Sequence, residues 1–524
     1  MTCRLLLGSA LLTLAATACA AQGWESAIVS TGPDGRLQYA TDAEGNRVPD
    51  FSRAGYRGGG VDLPVVPTVR TLAPVEGDDT ASIQAALDAV MALPVGPDGR
   101  RGALELTAGT FEIAGTLVIR ASGVVLRGAG DGDDPTASTV LRRSGANPEP
   151  VVYVGQREHG SGDALIRRAQ GHASAFIEDD VVPVGAWSFR VDHPEGLRPG
   201  APVVVYHPAT AGWLEAVDHG ATASEPGWAV GQHPIAFART VTDVTGSMVT
   251  LDAPTFYRLD RSLSPSYVYW RDDRFLIREV GVEDLRIEIE TASDTDETQA
   301  ENAVVLALVE DGWVQRVTAR HFWRAGVRVE NSRYVTVRDS RALAPHSVVD
   351  GGRRYNFMVE KSQLVLFQGN VASHGRHAYV GNGETLDSGI VFLDNVSEDA
   401  FTSSEAHRQW SMGFLYDHHT EVGSVGRETH DRRIHLGNRG DYGTQHGWAC
   451  ANCVVWNAQM NGALVIVEKP PTAQNYAIGV QGAVSNRGPF LTTAPHVEGT
   501  NRADLSPRSL YLRQLADRLR PVER

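Results

Sequence analysis

From residue 102 onward the apolar positions recur with a period of two in short runs. Leu104 and Leu106, Phe111 and Ile113, Leu117 and Ile119, and Val124 and Leu126 are separated by Gly or Ser. That spacing predicts short strands with one buried face. Just upstream, Asp78-Asp79-Thr80 precedes Ile83, Ala86, Leu87 and Val90, the pattern of one capped amphipathic helix. Farther on, Val327, Val329, Val335 and Val337 return thirty residues later as Phe357, Val359, Val365 and Phe367. Runs closed by Asp394-Asn395 and by Asp417-His418 lie 23 residues apart. Units of about 20–25 residues, each with an apolar edge that only a neighbour can cover, are stacked coils. A β-sandwich is the competing arrangement, but no series of Asn-Gly or Asp-Gly hairpin turns supports it.

The pattern divides the chain. Residues 1–20 carry Arg4, an apolar run from Leu5 to Leu14 and a small-residue end, which reads as a secretory signal too short to span a bilayer. Cleavage before Ala21 is favoured; acylation at Cys19 is the alternative, giving a lipid-anchored protein. The product is expected to be secreted or periplasmic, with no transmembrane segment. Residues 21–70 are a Gly/Pro-punctuated lead-in, and 71–179 hold the capping helix and the first coils. Residues 180–270 read as a small inserted antiparallel β-barrel-like unit, 271–495 as the later coils, and 496–524 as a tail with an amphipathic helix that packs along the solenoid or closes its end.

The capped helix followed by GALELTAGTFEIAGTLVIRASGVVLRGAG resembles the opening of the pectate-lyase-like right-handed parallel β-helix proteins, and the likeness extends over roughly 71–145 and 275–490. It implies an all-β solenoid whose N-terminal end is closed by the helix. It says less about chemistry, because the fold hosts lyases, hydrolases, epimerases and phage tailspikes. For the lyases it implies a Lys or Arg base, often with calcium. Here lysine occurs only at Lys361 and Lys469, and no cage of clustered aspartates for Ca2+ is evident.

Composition narrows the partners. With 48 basic and 63 acidic residues the formal net charge is −15, which argues against nucleic acid as a partner. Beyond the leader the cysteines are Cys450 and Cys453. A single C-x-x-C in an apolar run is weak evidence for zinc and reads as buried structural thiols or one local disulfide. A monomer is expected.

Four segments interrupt the later apolar runs, at 341–355, 373–388, 397–411 and 419–447, and in a solenoid such insertions line one flank. Nine of the 17 histidines fall between His346 and His446, with Arg353, Arg354, Arg376, Arg408 and Arg439. Tyr379, Trp410, Tyr442 and Trp448 add aromatic plates. Rings that cover sugar faces and guanidiniums that fork onto anions suit an acidic polysaccharide. The chemistry that follows is β-elimination across a uronic acid. His377 or His407 is the expected base, Arg376, Arg408 or Arg439 the group neutralising the carboxylate, and His446 or Tyr379 the acid. Arg353, Arg354, Glu405, Asn438, Trp410, Tyr442 and Trp448 are expected to bind substrate, with no resident metal.

Two other functions fit the same segments. A glycoside hydrolase would pair carboxylates drawn from Glu405, Asp387 and Asp441 (Asp394 and Asp417 lie in the same region). A non-catalytic glycan-binding protein would need no titratable groups. No G-x-S-x-G elbow, P-loop or strand-anchored G-x-G-x-x-G points elsewhere.

Overall fold

The computed structural model describes residues 23–423 and 433–521; the expected leader and Cys19 lie outside them. Helix α1 (Thr80–Met91) buries Ile83, Ala86, Leu87 and Val90 against the first coil. Asp79 joins it to that coil, its carboxylate accepting from the Val75 and Glu112 backbone N–H groups at 2.9 and 3.0 Å.

Behind the helix the strands stack in parallel on three faces. One face positions the site: β1 (Leu117–Ile119), β2 (Val152–Gly155), β3 (Asn302–Ala307), β4 (Ala325–Glu330), β5 (Tyr355–Glu360), β6 (His377–Gly381), β7 (Ser403–Ala406), β8 (Arg433–Leu436) and β9 (Gln459–Val467), each paired in parallel with the next. The expected thirty-residue repeat is the register itself, with Val327 beside Phe357, Val329 beside Val359 and Val337 beside Phe367. The next step differs from the sequence spacing. Leu393 pairs with Asp417, so the coil advances by 24 residues, and Asp394 faces His418, whose Nδ1 is 2.9 Å from its carboxylate.

Two features hold the coils in line. Inside, Phe357 stacks on Tyr379 with centroids 5.3 Å apart, and Phe392 stacks on Phe367 and Tyr416 at 5.1 and 4.9 Å. At one corner the chain turns on a single left-handed residue in coil after coil, at Asp339, Asp394, His418 and Asn457 with φ near 50°. These residue types, with the glycine at 369, tolerate that region best. Beside the corner, Ser340 N–H donates to Asn370 Oδ1 (3.0 Å) and Asn370 N–H to Asn395 Oδ1 (2.8 Å), a ladder along the solenoid axis.

An antiparallel sheet interrupts the solenoid, in the order Ala175–Phe176, Tyr267–Trp270, Pro202–His207, Ile235–Thr245, Met248–Leu251 and Ser188–Arg190. A bridge from Ile177 to Val191 joins its edges. The tail helix α2 (Leu510–Leu519) lies along the flank: Tyr511 donates to Ala54 O at 2.8 Å, and Gln514 accepts from Phe51 N and donates to Pro49 O. Cys450 and Cys453 are free thiols inside the solenoid core. No helix of the described residues is long and apolar enough to cross a membrane.

Asn395→Ala removes the acceptor of Asn370 N–H and Nδ2–H and the donor to Phe367 O. Each stranded buried group costs about 1–3 kcal/mol, so urea denaturation should show a loss of at least about 2 kcal/mol. A change below about 0.5 kcal/mol would remove the ladder from the account of stability.

Candidate active site

Parallel register brings the outward side chains of successive coils into columns. Tyr355 stands beside His377, Val380 beside Glu405, Ser403 beside Arg433, and Glu405 beside His435. These columns floor a cleft of about 710 Å³, and loops from all four interrupting segments wall it.

Glu405 is the hub, fully buried beneath the cleft. Its Oε1 accepts from His407 Nδ1 at 2.5 Å and from Arg439 Nη1, and Ser403 Oγ donates to Oε2. His377 Nδ1 lies 3.3 Å from Oε1 and 2.8 Å from Ser403 O, its Nε2 buried with no partner. The rings of His377 and His446 lie 4.7 and 4.8 Å from that of His407.

Burial, reinforced by the Arg376 charge, holds His377 well below the usual histidine range. Burial with Arg376 and Arg408 pushes His407 down to about 3, and burial with His407 and Arg439 lowers His446 to about 2. All three imidazoles are therefore neutral at pH 7. In His407 the Nδ1–H bond to Glu405 fixes the tautomer and leaves Nε2 as the basic nitrogen.

Six arginines line the cleft: Arg324, Arg353, Arg376, Arg408, Arg433 and Arg439. Arg353 sits on the rim against Glu297 at 2.5 Å, and Arg408 donates to Asn382 O with Glu384 at 3.4 Å. Arg439 is spent on Glu405 and stacks over Tyr442 at 5.6 Å. Burial and Arg376 bring its guanidinium down to about 9. Arg376 leaves Nη1 buried without a hydrogen-bond partner, a donor directed at no acceptor of the chain.

Several expected residues stand elsewhere. Tyr379 points into the solenoid, donating to Asn370 O and Val396 O at 2.8 and 2.9 Å, because Ala378 and Tyr379 both turn inward and break the strand alternation. Trp410 is a core plug, edge-on to Trp213, Trp228 and Tyr257 at 5.8–6.2 Å. Trp448 belongs to the same buried cluster. Asn438 fastens the loop to the inserted unit through Ala221 O at 3.1 Å. Arg354 caps its own loop at Ser347 O (2.6 Å) and lies over Phe401.

The hydrolase pair is not assembled. Asp387 is buried and accepts from Ser362 and Gly383 N–H, and Asp441 faces outward to Ser224 N–H. Nor do Asp394 and Asp417 join Glu405: Asp394 holds His418 and Arg508, and Asp417 accepts from Ser509 Oγ.

Tyr355 and His435 are not singled out by the sequence. Tyr355 lines the cleft with its ring 5.5 Å from His377 and 6.0 Å from His407. Its position one coil before His377 was the available signal.

Among the described residues, His377, Glu405 and His407 form the one group that could hold a metal, with ligand atoms within 4.8 Å of one another. Two imidazoles with one carboxylate do not fit calcium, which takes six to eight oxygens. Glu405 Oε1 is already held by His407 and Arg439 and His377 Nδ1 by Ser403 O, which leaves His377 Nε2 as the unpartnered atom of the set.

One large sheet of parallel strands, paired coil upon coil, decides the architecture. The fold is a right-handed parallel β-helix. No protein-family profile and no curated protein matches the chain. Solved β-helix structures similar to it include the tailspike protein gp49 from Pseudomonas phage LKA1, 13% identical with TM-score 0.41, covering 80% of this chain and 67% of that one. Alginate lyase from Paenibacillus sp. str. FPU-7 is 11% identical with TM-score 0.38, covering 84% and 99%. The A-module of the Azotobacter vinelandii mannuronan C-5 epimerase AlgE6 is 12% identical with TM-score 0.34, covering 82% and 96%.

Because Tyr379 lies in the β-helix interior, Tyr379→Phe should lower unfolding free energy by about 1–2 kcal/mol and leave turnover unchanged. A large loss of activity in a folded Tyr379→Phe protein would return that hydroxyl to the site.

Proposed function

We propose that this chain is an exported, monomeric polysaccharide lyase that cleaves a uronic-acid-containing polymer by β-elimination. The observation that carries the reading is the unpartnered Arg376 donor beside two neutral imidazoles in an arginine-lined cleft. Likeness to an alginate lyase is not needed for it.

Arg376 and Arg408 pair with the substrate carboxylate and stabilise the charge that develops when C5 loses its proton. His407 Nε2 takes that proton, and the imidazolium so formed is stabilised by Glu405. The C5–H electron pair becomes the C4=C5 double bond as the C4–O bond breaks. Tyr355 gives its proton to the departing oxygen, the role expected of Tyr379 from sequence. His377 stands beside His407 and limits its orientation. A hydrolase would need a second carboxylate across the cleft from Glu405, and neither Asp387 nor Asp441 is placed there.

Purified protein given uronate polysaccharides should produce ultraviolet absorbance from the new double bond. New reducing ends without that absorbance would establish hydrolysis instead. His407→Ala should lower kcat by about 10²–10⁴-fold while keeping the wild-type circular dichroism.

The depressed pKa of His407 sets a pH signature. A base held near 3 stays deprotonated as pH falls through 6.5, and activity is lost only on approach to the lower value. The kcat/KM profile should therefore be flat from pH 8 to 5. A half-maximal point near 6.5 would mean that an ordinary exposed histidine is the base.

A further inference from the structure

A second cavity of about 640 Å³ adjoins the arginine cleft. The two share Thr444, and consecutive residues divide between them: Asn382 with Gly383, Arg408 with Gln409, and Thr444 with Gln445. Their chemistry differs sharply. Against the six arginines and single Asp350 of the first, the second offers Lys361, Asp163, His233 and Glu384 as its ionisable groups. Each of them has a partner close by. Lys361 Nζ lies 2.8 Å from Asp163, and Glu384 lies 3.1 Å from His233 and 3.4 Å from Arg408. No cation of this lining is left to receive a substrate carboxylate.

The groups that remain are carboxamides and hydroxyls, among them Gln232, Gln445 and Tyr206. Gln409 is only 5% exposed, and its Oε1 is buried without a partner. A carbonyl oxygen in that state calls for a donor. A sugar hydroxyl or acetamido N–H supplies one, and a carboxylate cannot.

Resting on the reading of the arginine cleft as a uronate site, we infer that the second cavity binds the uncharged sugar next to that uronate. The substrate is then a heteropolymer in which a uronic acid alternates with a neutral or N-acetylated sugar, not a homopolymer of uronates. The inserted antiparallel unit takes part in this choice, since Tyr206, Trp228 and Gln232 form one wall.

The experiment follows double-bond absorbance with hyaluronan, unsulfated chondroitin and heparosan against polymannuronate, polyguluronate and polygalacturonate. At least one alternating polymer should exceed every homopolyuronate by about tenfold in kcat/KM, a difference of about 1.4 kcal/mol. Gln409→Leu should erode that preference. Gln232→Arg, at an exposed position where folding is not at stake, should raise the relative rate on homopolyuronates. A homopolyuronate turned over as fast as the best alternating polymer overturns the inference and leaves the lyase reading standing. Failure of all six polymers to react overturns the lyase reading on which it rests.

Discussion

Parallel pairing holds adjacent strands about 4.8 Å apart with equivalent residues side by side, so an outward position repeated over several coils becomes a continuous column of side chains. The strand residues of the cleft are placed by that constraint. Tyr355, His377 and Arg433 are far apart in sequence, yet the register sets them along one flank with Glu405 among them. The interior obeys the same rule, with Phe357 on Tyr379 and Ser340, Asn370 and Asn395 linked in turn. A slip of one residue would turn Glu405 into the core and Ala406 toward the cleft.

Columns of like residues carry an electrostatic cost that the site must meet. A fully buried carboxylate is tolerated only when paired and hydrogen-bonded, and Glu405 draws on Arg439, Ser403 and His407 together. Burial and the Arg376 charge hold His377 and His407 low, with Arg408 adding to the effect on His407. The chain as a whole is strongly acidic, so this arginine-lined cleft is a local inversion of its charge. The same inversion makes a bound metal cation a poor tenant between His377 and His407.

The solenoid was legible because period-two runs, a capped helix and a thirty-residue echo all report backbone geometry directly. The flank was legible too, since histidine- and arginine-bearing insertions recur at equivalent points of the coils. What the spacing could not supply was the facing of individual side chains. Strict alternation puts Tyr379 on the same side as His377, but Ala378 and Tyr379 both enter the core, and the cleft takes its tyrosine from Tyr355 one coil earlier. Asp394 was likewise matched to Asp417, when the true step places it beside His418. Such one-residue irregularities arise from core packing between coils, which no window along the chain contains.

The tryptophans show the same limit from another side, and they explain the inserted unit. Trp410 and Trp448 sit amid the motifs that bear the cleft residues, yet Trp410 buries its ring against Trp213, Trp228 and Tyr257, and Trp448 lies in the same cluster. They join the insertion to the solenoid. Around them, Trp448 N–H donates to Gly220 O (2.9 Å), Asn438 Nδ2 to Ala221 O (3.1 Å) and Trp228 Nε1 to Gln445 O (3.3 Å). The loop held at these points is the one that delivers Arg439, Tyr442 and His446 to the cleft. A catalytic loop left to itself would sample many arrangements, and preorganisation requires that its neighbours fix it. The aromatic residues that look like sugar platforms therefore act one step back, keeping the loop that carries Arg439, Tyr442 and His446 in a single position.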